Sequence, residues 1–185
     1  MSTWMWIAIG GGAAIAAGAA WLFWPVNSAR DRELADPSTR FHWVVITSYR
    51  GLANPTMLSP SQARDILQGG WSCDDRAALV AKIDAYRGGG EINPAFDVAR
   101  ILWLSELARS AQWLDQGAVR AYSQEGVARL RASYRDWASF ADALVEGRQR
   151  WYLEIAGQPN MPADQHADAA ASRQAAQPLW ASTPW

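Results

Sequence analysis

The sequence predicts an all-α protein: a single N-terminal transmembrane helix, a compact bundle of about five or six helices, and a mobile C-terminal tail. Three observations carry this. Residues from Thr3 to Val26 include no charged side chain. The stretch from Asn93 to Leu114 repeats its apolar residues at helical spacing behind a marked helix start. After Gly157 the composition turns to Pro, Ala, Gln, Asp and Ser, which buries too little apolar surface to enforce order. The expected units are an anchor over residues 1–26, a linker over 27–40, a helical domain over 41–156 and a low-complexity tail over 157–185.

The anchor segment, WMWIAIGGGAAIAAGAAWLFW, covers 21 residues. As a helix it is about 31 Å long, enough for a hydrocarbon core of about 30 Å. Trp4 and Trp6 at one end, with Trp21 and Trp24 at the other, suit the two membrane interfaces. A cleaved signal peptide would begin with basic residues, and none precedes this span. Gly10, Ala14 and Gly18 recur every four residues, as do Gly12, Ala16 and Ala20. Small residues so spaced let two membrane helices approach closely; the alternative is a span that is merely rich in Ala and Gly. Arg30, Arg32 and Arg40 follow the span, which favours a cytoplasmic domain at a bacterial inner membrane.

Phe41 to Tyr49 reads as a buried helix, because its β-branched centre has no partner strand elsewhere. Ser59-Pro60-Ser61-Gln62 is a capping box that opens a short helix closed by Gly69 and Gly70. Ser72, with Asp74 and Asp75 in the first turn, opens the next, whose apolar side is Leu79, Val80, Ile83 and Tyr86. The run Gly88-Gly89-Gly90 ends it. It lacks the strand and lysine of a phosphate loop.

In the central helix, Asn93 is the cap and Pro94 occupies the first position. Ile101, Leu104, Leu107, Ala108 and Ala111 share one face with Asp97 and Arg100, while Ser105, Glu106, Arg109 and Gln112 are expected in solvent. A carboxylate and a guanidinium inside an apolar stripe must be paired, since either one buried alone costs several kcal/mol. They form either a structural ion pair or a pocket in which Asp97 is an acid or base. Asp115 to Tyr122 is read as a turn around Gly117, and Ser123 with Glu125 as the start of a helix carrying Val127, Leu130, Tyr134 and Trp137 on one face. Ser139 is the expected cap of the last helix, with Phe140, Leu144, Gly147, Trp151 and Ile155 on one side and Gly147 at a close helix contact. Arg148 borders that face, within reach of Asp97 by helical-wheel geometry. Asp97, Arg100, Arg148 and Tyr86 thus make a candidate polar knot. Trp71, Trp137, Trp151, Trp180 and Trp185 are candidate aromatic anchors, the last two folding back on their own domain or recruiting a partner.

Composition narrows the function classes. The formal charge is −1 with half the residues hydrophobic, which gives no basic footprint for nucleic acid. Cys73 is the only cysteine and Lys82 the only lysine; the two histidines, His42 and His166, lie far apart. A cysteine-based or histidine-based metal site is not expected, nor is a cofactor.

The order Gly70-Trp71, Tyr86-Arg87, Ala95-Phe96-Asp97 with Arg100, Tyr122-Ser123, Asp136-Trp137 with Phe140, and Gly147-Arg148 with Trp151 resembles a bacterial family, domain of unknown function 1266. The resemblance covers roughly residues 43–152. In that family the central helix begins Ala-Trp-Asp and continues to an Arg, a serine–tryptophan pair precedes the last helix, and Gly-Arg-x-x-Trp lies within it. Here Phe96 replaces the Trp, Asp136 the Ser, and Tyr86-Arg87 stands where Gly-His-Arg is usual. The missing His weakens a catalytic reading at that place. The resemblance implies a helical fold and no particular activity.

The expected function is protein–protein interaction at the membrane, as an immunity or accessory protein of a toxin or secretion system, with possible self-association through the span. An enzyme acting on a small or lipid-linked substrate through Asp97, Arg100, Arg148 and Tyr86 is one alternative. A scaffold subunit of a membrane complex is the other.

Overall fold

Side-chain caps set where the helices of this chain begin. In the computed structural model, which describes residues 29–88 and 92–185, Asp36, Ser59, Asp75, Asn93, Asp115 and Asp136 each accept a backbone N–H of the following first turn. Each occupies the extended conformation that an N-cap requires. The helices are α1 (Ala29–Ala35), α2 (Pro37–Arg50), α3 (Pro60–Trp71), α4 (Arg76–Arg87), α5 (Pro94–Ser110), α6 (Gln116–Ser133), α7 (Trp137–Arg150) and α8 (Ala163–Ala181). A 3-10 turn at Pro55–Met57 follows α2, and a wide π turn at Trp151–Ile155 extends α7. No strand occurs among the described residues, as the all-α expectation requires.

The span expected over residues 4–24, with Gly10, Ala14 and Gly18, lies outside the described residues, as do Gly89 and Gly90. No helix among the described residues is long and apolar enough to cross a membrane.

At the centre is α5, packed against α2, α3, α4, α6, α7 and the 3-10 turn. Of its 17 residues, 14 are buried, so no face of it is left for solvent. Its ends are closed by neighbours as well as by its own cap. The Tyr134 hydroxyl accepts the Ala95 N–H at 3.1 Å, and Arg64 donates to the Ala111 carbonyl at 3.0 and 3.2 Å. These satisfy backbone groups that a helix cannot pair internally.

Several expected boundaries move. Residues 29–40 are not a linker: α1 and the start of α2 occupy them, with Asp36 capping and Pro37 at the first position. Helix α3 runs through Gly69 and Gly70 to Trp71, and Ser72 takes the left-handed conformation at φ 52°. Asp75, not Ser72, caps α4. Helix α6 starts at Asp115 rather than Ser123 and includes Gly117. It stops at Ser133, so Tyr134 and Trp137 flank the turn into α7. Asp136 caps α7, while Ser139 supplies the returning half of the capping box. In these cases an Asp outcompetes a nearby Ser or Gly signal.

The largest correction concerns the tail. Residues 163–181 are not mobile but form α8, which lies along α2. Its buried stripe is Ala169, Ser172 and Ala176, a helical repeat of small residues. Such side chains add little apolar area and read as low complexity, yet they let backbones approach. A Cβ on Gly51 would sit 3.4 Å from the Ser172 Oγ. Trp180 in the last turn of α8 and Trp185 beyond it fold back on the domain: the Trp185 ring lies 4.8 Å from Trp137 and 5.3 Å from Phe41, and Trp180 stacks on Trp137 at 6.4 Å. The indole N–H groups of Trp185 and Trp137 donate to the carbonyls of Tyr134 and Thr183 at 2.8 and 2.7 Å. Trp137 and Trp185 therefore bury their apolar bodies while keeping a partner for their one donor, whereas the buried Trp180 N–H makes no hydrogen bond.

Gly147 is the close contact expected of it. A Cβ there would lie 2.6 Å from the Phe96 Cβ on α5 and 3.0 Å from the Asn93 side chain. Gly126 on α6 is similar but softer, with Val98 Cγ1 at 2.8 Å.

Two predictions follow from this packing, both read by denaturant unfolding of the full chain. Gly147→Ala destabilises by about 2 kcal/mol despite alanine's better helix propensity, because both colliding carbons are fixed to backbone; Gly126→Ala costs less, since the Val98 rotamer can give. Trp185→Ala lowers stability by about 3 kcal/mol and diminishes the aromatic circular dichroism of the Phe41–Trp137 cluster. An unchanged unfolding midpoint would show that the cluster does not need its cover.

Candidate functional site

Enclosure of α5 forces its polar side chains into the interior, where they form two groups. The first contains most of the expected knot. Asp97 is wholly buried, and its carboxylate lies 3.7 Å from the Arg129 guanidinium on α6. Arg129 also donates to the Tyr86 carbonyl at 2.9 Å, so one arginine joins α4, α5 and α6. Arg100 sits among four rings: its guanidinium carbon is 4.1 Å from the centre of Tyr86, 5.0 Å from Phe96, 5.5 Å from Trp71 and 5.8 Å from Trp151. Stacking of a guanidinium on aromatic faces is favourable, more so when water is excluded. Trp71 and Trp151 therefore act as walls around Arg100, half-buried rather than projecting. The Tyr134 hydroxyl beside this group has its pKa pushed up by burial.

Arg148 does not reach Asp97. It is 7% exposed and donates to the Tyr49 carbonyl at 2.6 Å, with the Tyr49 ring 5.4 Å from its guanidinium carbon. Helical-wheel geometry placed it on the correct border of α7 but not the correct neighbour. The expected knot thus divides, with Asp97, Arg100 and Tyr86 in one neighbourhood and Arg148 against α2.

The second group escaped the sequence reading. Ser105 and Glu106, expected in solvent, are 0% and 1% exposed. The Glu106 carboxylate lies 3.0 Å from His42 Nε2 and 2.6 Å from Arg109 Nη2. Arg109 also donates to Glu33 of α1 at 2.8 Å and to the Gln116 side-chain oxygen, and Glu33 accepts the Trp43 indole N–H at 2.7 Å. Distances within the His42–Glu106–Arg109 core are short but off-line for hydrogen bonds, and opposite charge holds Arg109 against Glu106. Burial works to lower the Arg109 pKa, and the carboxylates of Glu106 and Glu33 outweigh it, leaving it raised. Two sequence signals pointed here. Ile101 to Leu104 are four consecutive apolar residues, which no one-sided stripe accommodates, and His42 stands inside an otherwise apolar run.

Chemically, neither group opens to a ligand. Asp97, Glu106 and His42 are enclosed. A depression beside the first group, lined by Val98, Tyr122, Gly126 and Arg129, has a volume of about 10 Å3, room for one water. No cluster of three or more His, Cys, Asp or Glu suited to a metal ion occurs among the described residues. What both groups do is tie helices together. Arg109→Met leaves two inward carboxylates without their shared cation and is expected to cost about 3 kcal/mol of stability. In a double-mutant cycle with Glu106→Gln, the two losses are expected to be strongly non-additive; simple additivity would show the residues to be independent.

Comparison with known proteins adds the family. No curated protein and no solved structure matches the chain. A family model described as a protein of unknown function (DUF1266) matches residues 31–185. The matched region extends beyond the motif-based resemblance at both ends, taking in most of α1 and all of α8 with Trp180 and Trp185. A match over so much of its length places the chain in one family: it belongs to DUF1266.

Proposed function

We propose that this is a bacterial protein held at the inner membrane by residues 4–24, whose helical domain works by binding another protein. Its charged interior residues serve helix packing, which leaves recognition to the surface. The observation that carries the reading is the turn after α7. There Leu153 and Ile155 are 49% and 52% exposed beside the half-buried Trp151, on backbone continuous with the core. Large apolar side chains displayed on a firm element suit a protein contact better than a solvent surface. Leu52 and Met57, 48% and 50% exposed near the end of α2, offer a second such place.

An immunity or accessory protein of a toxin or secretion system is the concrete form we favour, with the domain in the cytoplasm because Arg30, Arg32 and Arg40 follow the span. A scaffold subunit that self-associates through Gly10, Ala14 and Gly18 would share the anchor and use the same surface differently. Catalysis at Asp97 gains no support from a carboxylate that substrate cannot reach.

The test is affinity purification from the native host in mild detergent, comparing the full chain, a chain lacking residues 1–26, and the double variant Leu153→Asp/Ile155→Asp. We expect one partner retained by the first two and lost from the third. Enrichment of general membrane proteins alone would overturn the interaction reading.

A further inference from the structure

Between α2 and α3 the chain shows two large apolar side chains to solvent. Leu52 is 48% and Met57 50% exposed, on a loop that is fastened from below. Gly51 leaves α2 at a φ of 60°, and the Asn54 side chain accepts the N–H and the hydroxyl of Thr56 at 3.1 and 2.8 Å. The carbonyl of the buried Pro55 accepts the Ser110 hydroxyl of α5 at 2.7 Å. So fixed, the loop keeps Leu52 and Met57 on display, where water is a poor neighbour for them.

What this loop faces is set by where the chain enters the domain. Arg30 of α1 donates to the Leu52 carbonyl at 3.3 Å and to the Thr47 hydroxyl at 3.0 Å, which pins the start of α1 against the loop. Arg30 stands six positions after Trp24, the residue that closes the apolar segment. Six residues of chain reach at most about 21 Å, less than the thickness of a bilayer's hydrocarbon core. A bilayer holding residues 4–24 therefore lies within that reach of α1, and the loop is the apolar surface pinned beside it. Charge does not carry the contact. Arg30 is spent on its two bonds with the Asp31 carboxylate acting on it, and Arg50 lies over the rings of Tyr49 and Trp103.

We propose, resting on the membrane span read at residues 4–24, that this loop docks on the lipid surface beside the span. Leu52 and Met57 enter the interface between headgroups and acyl chains, and Leu153 and Ile155 are left for the protein partner. Two apolar side chains do not hold a free protein at a bilayer. Here the tether supplies the second signal: it keeps the loop near lipid at an effective concentration on the order of millimolar, where a weak contact is occupied. Docking gives the domain one orientation on the membrane.

The experiment uses the full chain reconstituted at low density in vesicles of phosphatidylethanolamine and phosphatidylglycerol, with Leu52→Cys, Met57→Cys and Arg135→Cys each labelled by an environment-sensitive fluorophore. The native Cys73 is buried and stays unlabelled. Arg135, 89% exposed, is the control; it is close in sequence to Trp137, which packs on Phe41 at the opposite end of α2 from Leu52. The quencher is a phospholipid carrying a nitroxide near the top of its acyl chain. Labels at 52 and 57 are expected to be quenched about threefold more strongly than the label at 135. Adding Leu52→Asp to the Met57→Cys chain is expected to cut quenching at 57 about twofold, because Leu52 itself and not the label seats the loop. The proposal is overturned if either label is quenched no more than the control, or if quenching at 57 ignores Leu52→Asp. A label hidden from aqueous iodide yet untouched by the lipid quencher places a second copy of the chain there and overturns it as well. In each of these cases the span reading stands as long as the chain floats with the vesicles. A chain that does not float removes the span and the docking together.

Discussion

The structure depends on the enclosure of α5. A helix touched by neighbours on every side has nowhere to send a charged residue except inward, and this one carries Asp97, Arg100, Ser105 and Glu106 within its buried length. Each inward charge costs several kcal/mol unless it is met, so the surrounding helices are committed to meeting them. Arg129 comes from α6, the rings around Arg100 from α3, α4, α5 and the turn after α7, and His42 from α2. The order of the bundle around α5 is in this sense an order of partners. Apolar burial supplies the driving force, while the polar contacts decide which neighbour may stand where.

The first and last helices are fastened differently. Helix α1 has seven residues and one buried side chain, Arg30. It is tied by polar contacts: Arg30 to α2 and the following loop, Glu33 to Trp43 and Arg109, and Arg40 to the carbonyls of Leu34 and Ala35 at 2.7 and 3.0 Å. The third donor of Arg40 reaches the Ser182 carbonyl at 3.0 Å, so a single guanidinium fastens both ends of the described domain. A short helix held by charge responds to ionic strength in a way that one held by buried leucines does not.

Much of the fold was legible in the sequence, and the parts that were not share physical causes. Helix starts at Ser59 and Asn93 stood out because cap, first-position proline and apolar spacing agreed. At Ser72 and Ser139 two residues competed for one role, and the carboxylate of a neighbouring Asp took it. The apolar character of residues 41–49 and the closeness of Gly147 were readable because each rests on local pattern. Glu106 was not, since a wheel assumes a solvent side and α5 has none. Arg148 was half legible: its face on α7 follows from spacing, but its partner, a backbone carbonyl on α2, has no signature. Helix α8 was hidden by its use of Ala and Ser, where close approach replaces side-chain bulk.

The pairing of α8 with α2 also bears on the order of events during synthesis. Helix α2 is made early, and the surface it buries against α8 must wait for residues 163–181, more than a hundred positions later. Contacts of such sequence separation form late because the loop between them must first be ordered. Until then, Phe41 and its neighbours face solvent without their aromatic cover, in a chain whose preceding segment is itself strongly apolar. The nascent protein therefore passes through a stage at which α2 exposes adhesive surface, a stage at which a chaperone has the most to hold.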